Sequence, residues 1–177
     1  SSALNAVKNS HVERMLSRNQ YLSKCPEHIQ LAIHQVYAHL VPDQISNESL
    51  QLFVSRAVPG AAFTRGCVYL LDPIKMLLIP RLKVGNVDLQ SFERVHCSAH
   101  YENSDPIATA FGCKIPIMEE GVKRNGAKAN FVAGVLGEED TTGVLYLEFE
   151  NSASQACENP ILYFKALRET LAACLNL

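Results

Sequence analysis

The chain has 177 residues, 47% of them apolar, and a formal charge of −2 from 16 Lys and Arg against 18 Asp and Glu. That length suits one domain with an appendage, or two small ones, and the apolar share is enough to bury a sizeable core. The near-neutral balance, with basic residues gathered only at Arg81 and Lys83 and at Lys123-Arg124, argues against nucleic acid as a partner. No apolar run approaches the ~20 residues that cross a bilayer.

There is no apolar stretch of the signal-peptide kind, and a chain that starts at Ser1 reads as a fragment or a processed piece. Cys25, Cys67, Cys97, Cys113, Cys157 and Cys174 are irregularly spaced, with no Cys-x-x-Cys among them. Several lie in apolar context, as in Gly66-Cys67-Val68. They read as small buried hydrophobes of a cytoplasmic protein rather than as a disulfide framework.

Leu4, Val7, Val12, Met15 and Leu16 give residues 1–22 a helical pattern. Pro26 opens a second helix, in which Ile29, Ala32, Ile33, Val36, Tyr37 and Leu40 repeat at 3.6 residues until Val41-Pro42-Asp43 ends it. Residues 1–42 are therefore expected to be a helical lead-in to a domain spanning 43–177. Its apolar stripe would pack on that domain or on a second copy. Ser46 or Asn47 caps a third helix with Leu50, Phe53, Val54 and Ala57 on its apolar face, and Pro59-Gly60 is expected to stop it.

The period then changes. Cys67 to Leu71 is a strand, Asp72-Pro73 a turn, and Met76 to Leu82 a second strand in which Pro80, lacking an amide donor, belongs at a sheet edge or a bulge. A short strand is expected around Val95 to Ala99. Ser104-Asp105-Pro106 starts a short helix to Phe111, and Lys114 to Met118 is extended. Residues 119–129 read as a charged loop. Two strongly apolar runs follow, Asn130 to Gly137 and Gly143 to Glu150, joined by a polar turn. Strands this apolar cannot leave both faces in water, so they should lie in mid-sheet. Asn159-Pro160 begins a final helix with Ile161, Phe164, Leu167, Leu171 and Cys174 on one stripe.

This order of elements resembles a GAF domain. The likeness rests on Gly66-Cys67-Val68-Tyr69-Leu70-Leu71-Asp72 as first central strand and turn. Asp105-Pro106-Ile107-Ala108-Thr109-Ala110-Phe111 is the short helix, and Gly143-Val144-Leu145-Tyr146-Leu147-Glu148 is the last strand, over roughly residues 46–177. Lead-in and domain together also look like the C-terminal region of bacterial HDOD signalling proteins, although the HDOD part itself, with its His-Asp dyad, is not in this chain. The resemblance implies an α+β fold with a central antiparallel sheet of five or six strands and helices on one face. It also implies a ligand cavity or its remnant on the other face, a sensory role, and dimerisation through flanking helices. It names no ligand or cofactor; a partner signalling domain is a further expectation.

Strand alternation puts Cys67, Tyr69 and Leu71 on one face, and Tyr146 and Glu148 on one face of the last strand. Cys67, Tyr69, His96, Ser98, Tyr101, Phe111, Tyr146 and Glu148 are accordingly the candidate ligand-binding residues. Tyrosines of this kind more often simply pack with the hydroxyl at a rim. His96, Cys97, His100 and Cys113 carry zinc-type donors but in no zinc spacing, and are expected to be ordinary loop and core residues. Thiol catalysis on Cys97 or Cys113 with His96 or His100, in the manner of a methionine sulfoxide reductase, is a third reading after a ligand sensor and a docking module. The segment Lys123-Arg124-Asn125-Gly126-Ala127-Lys128 offers charge for an anion such as phosphate, although no P-loop Lys-Ser/Thr closes it and a solvated loop is the plainer reading. No Ser-His-Asp set, paired carboxylates or dinucleotide fingerprint is present.

Overall fold

A computed structural model describes residues 2–98, 105–124, 126–137, 139–152 and 156–177. The chain divides into two compact units, one of Ser1–Ala61 with Leu162–Leu177 and one of Ala62–Ile161.

The first unit is helical. Helix α1 (Ser2–Arg18) has no buried residue. Helix α2 (Glu27–Tyr37) follows Pro26 and buries Ile29, Ile33, Val36 and Tyr37, the expected 3.6-residue stripe. Helix α3 (Asn47–Leu52) runs through a π turn (Phe53–Ala57) into α4 (Val58–Gly60). Pro59 and Gly60 are the last residues of this helical run, as expected. The chain leaves the helix after Gly60, with Ala62 at φ 65°. Ser46 precedes α3 without capping it; its hydroxyl accepts from the Val41 amide at 2.7 Å. Helix α6 (Pro160–Cys174) starts where Asn159-Pro160 indicates and buries Phe164, Leu167, Leu171 and Cys174. No helix among the described residues is long and apolar enough to cross a membrane.

The second unit is a six-stranded antiparallel sheet in the order β3-β2-β1-β6-β5-β4. The strands are β1 (Phe63–Asp72), β2 (Leu77–Val84), β3 (Val95–His96), β4 (Ile117–Arg124), β5 (Ala127–Leu136) and β6 (Gly143–Phe149), with helix α5 (Pro106–Gly112) between β3 and β4. The two apolar strands lie in mid-sheet as their composition demands: β6 pairs with β1 and β5, and β5 with β6 and β4. The Asp72 carboxylate accepts from the amides of Ile74 and Lys75 and closes the turn after β1. Pro80 sits at a register shift opposite Val68 and Tyr69, beyond the two residues that β3 covers, so its missing donor costs no ladder bond. Gly66 and Gly143 stand where β1 and β6 approach most closely; a Cβ on either would collide with the facing carbonyl of Tyr146 or Tyr69.

The loop expected after β3 and α5 is not found. Residues 119–129 are not a loop: all but the hairpin tip belong to β4 and β5. Asn125, at that tip, lies outside the described residues, as do Ala99 and Ser104, the far ends of the expected third strand and helix start. The charged composition has a physical reason. β4 is the outermost strand, and solvated Glu119, Glu120 and Lys123 blunt an edge that would otherwise pair with another chain. Gly121, at φ 65°, forms a bulge between Glu119 and Val122, and Asn130 Oδ1 accepts its amide at 2.8 Å.

Candidate functional site

The sheet face bearing Cys67, Tyr69, Val144 and Tyr146 is filled rather than hollow. Phe131, Ala133 and Leu78 join it from neighbouring strands, Ile107 and Ala110 from α5, and Phe92 from the segment before β3. Phe92 meets Tyr69 and Tyr146 edge-on, with centroids 6.4 and 6.3 Å apart, and Phe131 lies 5.1 Å from Tyr146. Burial pushes the Cys67 thiol up to about 12 and keeps the Tyr69 phenol protonated far above its ordinary range.

At the rim of this core lies a charged network. The Tyr146 hydroxyl donates to Glu148 Oε2 at 2.6 Å, and Arg65 Nε donates to Glu148 Oε1 at 2.8 Å. Residues 146 and 148 share a face of β6, and Arg65 pairs with Glu148 across the β1–β6 ladder, so the backbone register sets both bonds. Burial first, and then the Glu148 carboxylate, raise the Tyr146 pKa; the same carboxylate raises that of Arg65. Arg124, at the end of β4, lays its guanidinium over the rings of Tyr146 and Phe131, 4.9 and 5.4 Å from their centroids. Its Nη1 reaches Asp105 Oδ1 at only 3.6 Å, and its Nε is buried with no hydrogen-bond partner among the described residues. Asp105 is otherwise engaged in capping α5, accepting from the Ile107 amide at 2.9 Å. Beside this network opens a cleft of about 140 Å³ lined by Arg65, Val87, Phe92, Arg124, Lys128 and Glu148, among others.

The candidates read from the sequence divide accordingly. Cys67, Tyr69 and Tyr146 share one core, with Phe111 packed half-buried against it. Tyr146 also joins Glu148 in the network. His96 is exposed on β3, paired with Leu77 at the sheet margin, and Ser98 is half-buried beyond it. Tyr101 and His100 lie outside the described residues. No group of three His, Cys, Asp or Glu among the described residues could hold a metal ion. Cys97 donates its thiol to the Met76 carbonyl at 3.2 Å, and burial raises its pKa, which is opposite to what a thiolate nucleophile needs. Cys113 is half-buried at the C-terminal end of α5.

Sequence reasoning missed Arg65, Phe92, Asp105 and the placement of Arg124 and Lys128. The Lys123-Arg124 pair was visible, but only a strand reading of 119–129 turns Arg124 onto the tyrosine face.

No family model matches the chain, and no curated protein matches it. Solved structures share its fold, and two of them illustrate the likeness. One is the GAF domain of a phosphoenolpyruvate-protein phosphotransferase from Coxiella burnetii, 13% identical, with a TM-score of 0.56 over 82% of this chain and 88% of that one. The other is a methyl-accepting chemotaxis protein fragment, 14% identical, with a TM-score of 0.52 over 80% of this chain and 95% of that one. With its six-stranded antiparallel sheet and its helices, this α+β chain has the fold of a GAF domain.

Proposed function

We propose that this chain is a regulatory, sensory module of the GAF kind, cytoplasmic and non-enzymatic, which answers a small ligand or a partner signalling domain. In this reading residues 1–42 are a helical lead-in to a domain of residues 43–177, and the helices flanking the sheet in sequence relay its state, within a homodimer, to a neighbouring domain of the HDOD type. The observation that carries the reading is the rim network: Arg65, Glu148, Tyr146 and Arg124 hold fixed charges beside an open cleft. Fixed charge beside a cleft suits recognition. The two solved neighbours come, by name, from a chemotaxis protein and a phosphotransferase, which agrees with a signalling role.

A ligand would act by population shift, biasing two arrangements of the module by its differential affinity and by no more than that. The test is a thermal-shift screen of nucleotides, metabolites and ions. A saturable rise in melting temperature with at least one of them is expected, and failure of every compound removes the ligand-sensing part. The exposed helix α1, with Leu4 and Val7 in solvent, is the surface proposed for dimerisation. Sedimentation equilibrium showing only monomer at tens of micromolar would end that part.

One observation favours a second reading, a docking module that senses nothing. The aromatic core fills most of the face, and 140 Å³ is well under the ~300–1,000 Å³ of a usual small-molecule pocket. A nucleotide or tetrapyrrole would need Phe92 and its neighbours to move. A crystal structure soaked with the best compound of the screen separates the two readings by whether density enters this cleft.

A further inference from the structure

We infer that the cleft between Arg65, Arg124, Lys128 and Glu148 is a binding site for a compact dianionic phosphate group, either free phosphate or the end of a phosphate monoester. The inference rests on the ligand-sensing reading given above and names its ligand class.

Three observations carry it. The first is charge. Three cations and one carboxylate belong to the residues that line it, in a chain whose overall charge is −2. Glu148 is already taken by Arg65 and Tyr146, so it neutralises Arg65; Arg124, which meets Asp105 only at 3.6 Å, and Lys128 are left to an incoming group.

The second is the state of Arg124. Its side chain is 15% exposed, its guanidinium carbon lies over two aromatic rings, and its one ion-pair contact among the described residues is a 3.6 Å approach to Asp105. Its buried Nε has no acceptor among the described residues. A buried donor left unmet is rare and costs free energy until an acceptor arrives. A guanidinium positioned against two rings, with its Nε donor unmet, is suited to the fork-like recognition of an oxyanion.

The third is size. A cleft of about 140 Å³ is small beside the ~300–1,000 Å³ of a usual small-molecule site, and suits one compact group such as a phosphate. A single carboxylate brings one charge, whereas Lys128 has no ion pair among the described residues and Arg124 is paired only at 3.6 Å, so phosphate fits better than a carboxylate end group.

The test uses the full chain in thermal-shift and calorimetric titrations with inorganic phosphate, glycerol phosphate and succinate, against sodium chloride at matched ionic strength. Phosphate is expected to raise the melting temperature saturably and chloride is not. Glycerol phosphate binding better than phosphate assigns the site to a monoester, and the reverse order assigns it to the free ion; either supports the inference. Arg124→Gln should weaken binding by about tenfold or more, the loss of one charge-assisted hydrogen bond. Lys128→Ala should weaken it less, and Lys8→Ala, on helix α1, should leave it unchanged. Should Arg124→Gln fail to fold, Lys128→Glu decides in its place, since Lys128 is exposed and its reversal puts like charge against the ligand. Phosphate behaving as chloride does, succinate binding in its stead, or wild-type affinity in both Arg124→Gln and Lys128→Glu would each overturn the inference. If an uncharged or cationic compound stabilises the chain while phosphate does not, only this inference falls; if nothing does, the sensing function falls with it.

Discussion

The chain holds two polar networks, each around a buried tyrosine, and they differ in what they leave open. In the helical unit Asn19 Nδ2 lies 3.2 Å from the Tyr37 hydroxyl, 3.1 Å from the Ala166 carbonyl and 3.3 Å from Thr170 Oγ1. Every member is neutral and buried, two amide hydrogens are shared among three acceptors, and Asn19 Oδ1 is buried with no hydrogen-bond partner among the described residues. In the sheet unit Tyr146 is just as buried, but its partners are Glu148 and Arg124, and the network ends at a cleft with an unmet donor. Each network thus leaves one buried atom unmet, an acceptor in the first and a donor in the second. The neutral one, closed in by buried side chains, holds its own elements together; the charged one borders a cleft that can receive an anion, which is why the functional reading rests on the second and not the first.

The largest expected effect concerns what the two regions share, an interior that refuses charge. Burial raises Cys174 in the helical unit and Cys67 in the sheet unit to about 12, from an ordinary value of 9. Below pH 9 both thiols keep their protons folded or unfolded, and no stability depends on them. Above it the unfolded chain releases protons that the folded chain retains, so stability falls as pH rises from about 9 toward 12, by roughly 1.4 kcal/mol per pH unit for each thiol. Urea unfolding at pH 8, 9, 10 and 11 should show this slope, and Cys67→Ala or Cys174→Ala should each remove about one proton's share of it. A flat profile would mean that these thiols are not held in the interior.

Next in size is the closed network. Asn19→Ala removes the amide from the Tyr37 hydroxyl and from Thr170 Oγ1, at a cost of about 1–3 kcal/mol. For a chain of this length each 1 kcal/mol lowers the melting temperature by about 2–4 °C. Adding Tyr37→Phe should then cost less than Tyr37→Phe alone, because the hydroxyl has already lost a partner. Strict additivity of the pair would contradict the bond.

How much of each region could be read from the chain follows the same division. Residues whose burial is set by their own apolarity were legible: the stripe of α2, the mid-sheet position of β5 and β6, and the bulge at Pro80. So was the shared face of Tyr69 and Tyr146, because side-chain alternation is local. Asn19 gave no signal, since its partners Ala166 and Thr170 lie about 150 residues away. Arg124 was misplaced because the β4 edge carries the charges of a loop while having the hydrogen bonds of a strand, and only pairing with β5 distinguishes them. Arg65 could not be linked to Glu148 without the β1–β6 register.

A smaller effect joins the sheet network to local structure. Asp105 both caps α5 and approaches Arg124. Asp105→Ala should cost about 1 kcal/mol by losing the cap. Asp105→Asn keeps a capping oxygen and removes only the charge, so it should regain most of that loss in thermal melts. If Asn is as damaging as Ala, the weight lies in the contact to Arg124, and that guanidinium is more fully paired than its 3.6 Å distance indicates.

The smallest expected effect separates the two networks most cleanly. Arg65 is half exposed, with 49% of its side chain in solvent, and an ion pair in such a setting contributes about 0–1 kcal/mol. Arg65→Ala should therefore lower stability by under about 1 kcal/mol, and the loss should shrink further as salt is raised from 20 to 500 mM, because exposed charges are screened. Asn19→Ala, which disturbs neutral buried groups, should cost the same at both salt concentrations. The two variants measured side by side in urea at the two ionic strengths give one salt-sensitive and one salt-insensitive penalty if the networks are built as described. A salt-insensitive Arg65→Ala would place the Arg65–Glu148 pair in the sheet's interior, where it would lock the rim as Asn19 locks the helices, and the cleft would lose the charge that makes it a site.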